Sequence, residues 1–192
     1  MDVFSDTEPV DSRLETAGAI AMTFLLTYWG YQLLSSPQPY ILLDYVNFVT
    51  HETGGVLFLF ANQFWFMVGQ NVYQNVVPLA FLVYFYKKNA PIGAAFSAFW
   101  LGDNLLQTGI YMKDAQAMVL PILSIWGGGD ADNDGHDWNY IFSQTHAIRY
   151  APEIGGFFWF IGMVWIVGSV AYLFYLSVQR FYPALTLQAL LK

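Results

Sequence analysis

Five stretches of about twenty mostly apolar residues follow one another along this chain, at about 14–34, 41–60, 64–86, 92–112 and 154–179. Each is long enough to cross the roughly 30 Å hydrocarbon core of a bilayer as a helix. The third and fifth carry no charge, and the breaks between the first four are short and rich in Pro, Asn or Lys. Short connections favour antiparallel neighbours. The expected fold is therefore all-α: a polytopic membrane helical bundle of about five transmembrane helices in a single domain, with one long outer loop at 113–153. Composition agrees: 56% of the 192 residues are hydrophobic and only 11% charged, against roughly 25% charged in soluble domains. The bilayer is the expected partner, with other membrane subunits as further candidates.

Charge narrows the function classes. The net charge of −7 leaves no basic face for a phosphate backbone, so no nucleic-acid partner is expected. The absence of cysteine removes disulfides and thiolate ligands. The acidic start, MDVFSDTEPVDSRLE, does not read as a signal peptide. With five spans the termini fall on opposite sides. Lys87, Lys88, Arg180 and Lys192 then oppose Arg13, Lys113 and Arg149. The positive-inside rule places the N-terminus and the 113–153 loop outside, most simply at a prokaryotic cytoplasmic membrane.

Polar residues recur at one depth inside the apolar stretches. Asp44, Asn47 and His51 share one helix face at i, i+3 and i+7. His51 and Glu52, Gln74 and Asn75, and Asp103 and Asn104 each lie about halfway along their stretch. Ionisable groups at that depth are costly and are functional candidates. Interhelical hydrogen bonding accounts for Gln74 and Asn75. An imidazole and two carboxyls are expensive as mere glue, so His51 and Asp103 are expected to face each other inside the bundle. Asp114, eleven residues after Asp103, shares its face if the helix continues past Met112.

Residues 51–55 read HETGG. A zinc-hydrolase helix reads HExxH, with two histidines one turn apart on the metal and the glutamate as general base; Gly55 stands where the second histidine belongs. The wider pattern comprises His51-Glu52-Thr53-Gly54-Gly55, Gln74 with Pro78, YMKDAQAMVLPIL from Tyr111 to Leu123, and His136-Asp137-Trp138. It covers about residues 41–142. In kind and order it resembles a family of uncharacterised prokaryotic integral membrane proteins with HExGH, DAxAxxLPL and HDW elements, similar in appearance to intramembrane zinc metallopeptidases. That resemblance implies a site for zinc or another divalent metal, with His51, His136, Asp114 and Asp103 as candidate ligands and Glu52 as catalytic candidate. With one motif histidine missing, weak or absent hydrolysis is expected. The alternative is a non-catalytic helical subunit of a larger membrane complex, with His51 on a haem or chlorophyll. Asp130, Asp132 and Asp134 match the start of a calcium loop, but Ile141 occupies the position of its bidentate glutamate, which favours a solvated acidic turn.

Overall fold

A computed structural model describes residues 12–36, 39–120 and 136–190; the side chains of 12, 13 and 183–190 are left aside. The chain is all-helical, with no strand among the described residues. The elements are α1 (Ser12–Ser35), α2 (Leu43–Leu57), α3 (Gln63–Lys87), α4 (Pro91–Asp114), α5 (Asp137–Gln144), a 3-10 turn (Ile148–Tyr150) and α6 (Ala151–Leu190). Each expected apolar stretch is a helix. One of them, within Ile148–Tyr182, is long and apolar enough to cross a membrane by length and composition.

The breaks have local causes. The Asn62 side chain accepts a hydrogen bond from the backbone N–H of Trp65 and caps α3. Pro91 opens α4 at a position where its missing N–H costs nothing.

α4 and α6 form the backbone of the bundle, and their seam is built from glycine. A Cβ on Gly102 would lie 2.9 Å from the carbonyl oxygen of Gly162; one on Gly109 would lie 2.6 Å from that of Gly155. The two glycines on each helix are seven residues apart and meet in antiparallel order, so the backbones touch along one stripe. Small residues at such seams are how helices approach closely in membranes. Over the top of the seam, Met112, Ala115, Phe142 and Ala151 form a small core that seats α5.

α1 also runs antiparallel to α6. Glu15 pairs with Arg180 at 3.1 Å, Thr23 and Ser177 share a hydrogen bond at 3.0 Å, and Gly30 packs on Ile166. Five alternating spans would make α1 and α6 parallel and put the termini at opposite ends. Instead the start of α1, the α3–α4 turn and Arg180 lie together at one end, here called the base, and Asp114 and α5 mark the top.

The cause is α2. Its 15 residues extend only about 22 Å, short of a bilayer core. Its approach is held at Gln107, whose Nε2 donates to the carbonyl oxygen of Pro39. Its middle touches Asp103 and Trp100 through Asn47. Its end packs Gly54 and Gly55 on Gln70 and Phe58 on Gly69, about one turn above Gln74, which pairs with Asn104. The whole helix thus covers only about two turns of α4's height, so it lies across the α3–α4 pair rather than along it. Hydropathy finds such a helix but not its tilt.

Candidate functional site

The polar residues of α2, α3 and α4 form two linked sets between the middle and the top of the bundle. The lower set is centred on Asn47. Trp100 Nε1, which can only donate, donates to Asn47 Oδ1 at 2.6 Å. That orients the amide so that Nδ2 donates to Asp103 Oδ2 at 2.7 Å and, at a longer 3.5 Å, to Asp44 Oδ1. Asp44 Oδ2 accepts from the backbone N–H of Ile41 at 2.6 Å. Asp103 is fully buried, as its midspan position suggested, but its facing partner is Asn47 and not His51.

The upper set begins with a proline. Pro78 has no N–H, so the carbonyl of Gln74, four residues back, has no helical donor. Asn104 Nδ2 donates to that carbonyl at 3.4 Å. Asn104 Oδ1 is thereby turned to accept from Gln74 Nε2 at 2.6 Å. Gln74 Oε1 is left facing His51 Nδ1 at 3.1 Å. A carbonyl oxygen only accepts, so Nδ1 carries the proton and Nε2 of the neutral ring holds its lone pair. The sequence pairing of Gln74 with Pro78 therefore sets the tautomer of His51, a residue on another helix.

His51 Nε2 faces Asp137 Oδ2 at 3.4 Å. Asn71 Nδ2 holds the same carboxylate oxygen at 2.8 Å. The side chains of His51 and Asp137 are 22% and 19% exposed, so the pair lies at an accessible rim while Asp103 lies beneath it. Glu52, the next residue in the chain, is buried.

A second pair has the opposite tautomer. His136 caps α5, its Nδ1 accepting from the backbone N–H of Asn139 at 3.2 Å. Nδ1 then holds the lone pair and Nε2 the proton, and Nε2 faces Asp114 Oδ2 at 3.4 Å. Asp114 also accepts from the backbone N–H groups of Val119 and Leu120, at 3.2 and 3.0 Å. Asn139 Nδ2 donates to the carbonyl of Ala115 at 2.7 Å. His136 and Asp114 therefore latch α5 onto the end of α4.

Of the candidate ligands, His136 and Asp114 are brought together, His51 meets Asp137 instead, and Asp103 stays in the lower set. Among the described residues no three His, Asp or Glu side chains gather round one point. Asp130, Asp132 and Asp134 lie outside the described residues. Sequence reasoning named the HDW element but nominated its histidine; the residue that reaches the site is Asp137. It also passed over Asn71, which lies three residues before Gln74 on the same face of α3, a spacing that pointed to it. No protein-family model, curated protein or solved structure matches this chain.

The position at which an HExxH helix would carry its second histidine is closely packed. A Cβ on Gly55 would lie 2.8 Å from Gln70 Nε2 and 3.2 Å from Phe66 Cζ. Gln70 is buried and occupies the space one turn along from His51. Gly55→His alone is expected to leave metal binding unchanged, because the ring must first displace Gln70. Gly55→His with Gln70→Ala should raise metal affinity. Metal titration of both variants checks this, and a gain from the single substitution would count against the packing account.

Proposed function

We propose that this chain is an integral membrane protein whose top-side site, centred on His51 and Asp137, holds a divalent cation in a metallopeptidase-like setting that has lost a ligand, so that hydrolysis is weak or absent. The observation that carries the site reading is the facing of two lone-pair atoms. Once Gln74 fixes the proton on Nδ1, His51 Nε2 and Asp137 Oδ2 are both acceptors, 3.4 Å apart. Two acceptors in contact need a proton or a cation between them. The separation is long for a charge-assisted hydrogen bond, at about 2.7–2.9 Å. The same 3.4 Å separates His136 Nε2 from Asp114 Oδ2, so it is the lone pair left free on Nε2, and not the distance, that would let His51 and Asp137 hold a divalent cation. Gln74 on the far ring nitrogen is the outer partner that metal-binding histidines use. The metal would supply Lewis acidity. The chain's own residues orient the imidazole through Gln74 and hold the carboxylate through Asn71, and the buried Glu52 is the candidate base.

Burial supports the membrane reading. Inside the bundle's middle the ionisable side chains, Asp44, Glu52 and Asp103, are all buried, while outward residues such as Phe24, Phe157 and Phe174 are 62–74% exposed. A soluble protein rarely leaves so much apolar surface uncovered. In this reading α1, α3, α4 and α6 span the bilayer and α2 lies obliquely within it. Arg13, Lys87, Lys88 and Arg180 then lie at the base, against Lys113 and Arg149 at the top. In this reading the base, with the start of α1, is cytoplasmic by the positive-inside rule, where five spans would set the start of α1 outside.

The native chain has no cysteine, so a single introduced one reports cleanly. With an impermeant thiol reagent outside intact cells, Gln144→Cys is expected to react and Ser12→Cys to stay protected. Reaction of both from outside would restore the five-span topology.

A further inference from the structure

A groove of about 690 Å³ opens on the flank of the bundle near its base, between α3, α4 and α6. Small residues line it, Ala94, Ala95 and Ala98 on α4 and Gly168 on α6, together with Tyr86 and Tyr172. It lies away from the polar site: it is lined by the first two turns of α4, while Asp103 begins the polar layer in the middle of that helix. A volume of this size is ample for a ligand, and the lining is almost entirely apolar.

Chemistry at the mouth selects the occupant. Asn89 and Pro91 line the groove where the α3–α4 turn begins, and Lys87 and Lys88 directly precede them. Both lysines are exposed. Neither forms an ion pair among the described residues, whose pairs are His51–Asp137, His136–Asp114 and Glu15–Arg180. In a chain of net charge −7, two adjacent unpaired cations set in sequence between the lining residues Tyr86 and Asn89, though not lining the slot themselves, are complementary to a molecule with an anionic head and an apolar tail. We propose that this groove binds an anionic phospholipid, with an acyl chain laid along Ala94, Ala98 and Gly168 and the phosphate at Lys87 and Lys88. The proposal rests on the membrane reading above, since the lysines then lie at the cytoplasmic headgroup level, where anionic lipids concentrate. A partner helix would fill the slot equally well but would leave the two cations without a counter-charge.

Gly168 provides a clean variant. A Cβ built there meets nothing within 4 Å, so Gly168→Leu fills the groove without disturbing the fold. The experiment reconstitutes the full chain into vesicles of equal phosphatidylglycerol and phosphatidylcholine, checks flotation, extracts it and counts retained lipids by native mass spectrometry. Wild type is expected to float and to retain one phosphatidylglycerol in preference to phosphatidylcholine. Lys87→Gln with Lys88→Gln should erase the preference, about fivefold for each lysine, and Gly168→Leu should abolish retention of either lipid. Three results would overturn the inference with the membrane reading intact: equal retention of both lipids, retention unaffected by Gly168→Leu, or a dimer that Gly168→Leu dissociates. Failure to float would overturn both, and is distinguishable because it precedes any lipid count.

Discussion

His51→Gln is expected to reduce bound divalent metal to background, whereas His136→Gln leaves it unchanged. The two histidines have similar environments by distance alone: each has Nε2 3.4 Å from an aspartate oxygen. They differ in which nitrogen carries the proton. Gln74 Oε1 accepts a hydrogen bond from His51 Nδ1–H, which keeps the proton on Nδ1 and leaves Nε2 free to ligate. The backbone N–H of Asn139 occupies the Nδ1 lone pair of His136 and leaves its Nε2 protonated, a donor that cannot ligate. Loss of His51 removes the site's single nitrogen ligand, and the effect should exceed the 10–100-fold typical of losing an outer partner. Gln74→Leu removes that outer partner and should fall within about 10–100-fold. Asp137→Asn should resemble His51→Gln. Metal analysis of purified protein and competition with a chelator read all four. Equal loss from both histidine variants would show that the tautomer argument fails; no metal in the unmodified protein under loading conditions would defeat the site reading itself.

The helices were legible because hydropathy and length are properties of a segment. Gln63–Lys87 has no internal charge and ends at lysines, so its limits are written in it. The path of α2 was not legible. Its apolar content resembles that of a span, but its direction depends on where Gln107 holds Pro39 and where Gly54 and Gly55 let it onto α3. Those contacts involve residues up to 68 positions apart, and one oblique helix is enough to turn a parallel α1–α6 pair into an antiparallel one.

For the candidate site, the burial of the polar residues of α2 and α4 was legible and their partnership was not. The i, i+3, i+7 face of α2 is buried as its spacing implied at Asp44 and Asn47, and His51 on the same face reaches Gln74. Which nitrogen of His51 is free depends on a relay through Pro78, Gln74 and Asn104 on two other helices. Likewise, His136 is the residue that motif reading selects, yet its position as the cap of α5 commits its Nδ1, and the next residue, Asp137, is the one that reaches His51. A helix start thus decides which of two adjacent polar residues reaches His51.

The largest effect on stability is expected at the α4–α6 seam. A Cβ on Gly109 would lie 2.5 Å from the backbone nitrogen of Trp159 and 2.6 Å from the carbonyl oxygen of Gly155. Backbone atoms cannot rotate away as a side chain does, so the helices must separate. Because the same stripe includes Gly102 against Gly162, separation at one point loosens contact along the whole seam. Overpacking a core typically costs about 1–3 kcal/mol. Gly109→Ala should reach or exceed the top of that range, and Gly109→Leu should prevent assembly. Gly168→Leu on α6, one helix of the same pair but facing open space, is the matched control and should leave stability unchanged. Thermal unfolding of the detergent-solubilised protein, followed by helical circular dichroism and by protection of buried sites, distinguishes them. If Gly109→Ala melts with the wild type, the backbones are not in contact at this seam and the antiparallel register of α4 and α6 is wrong.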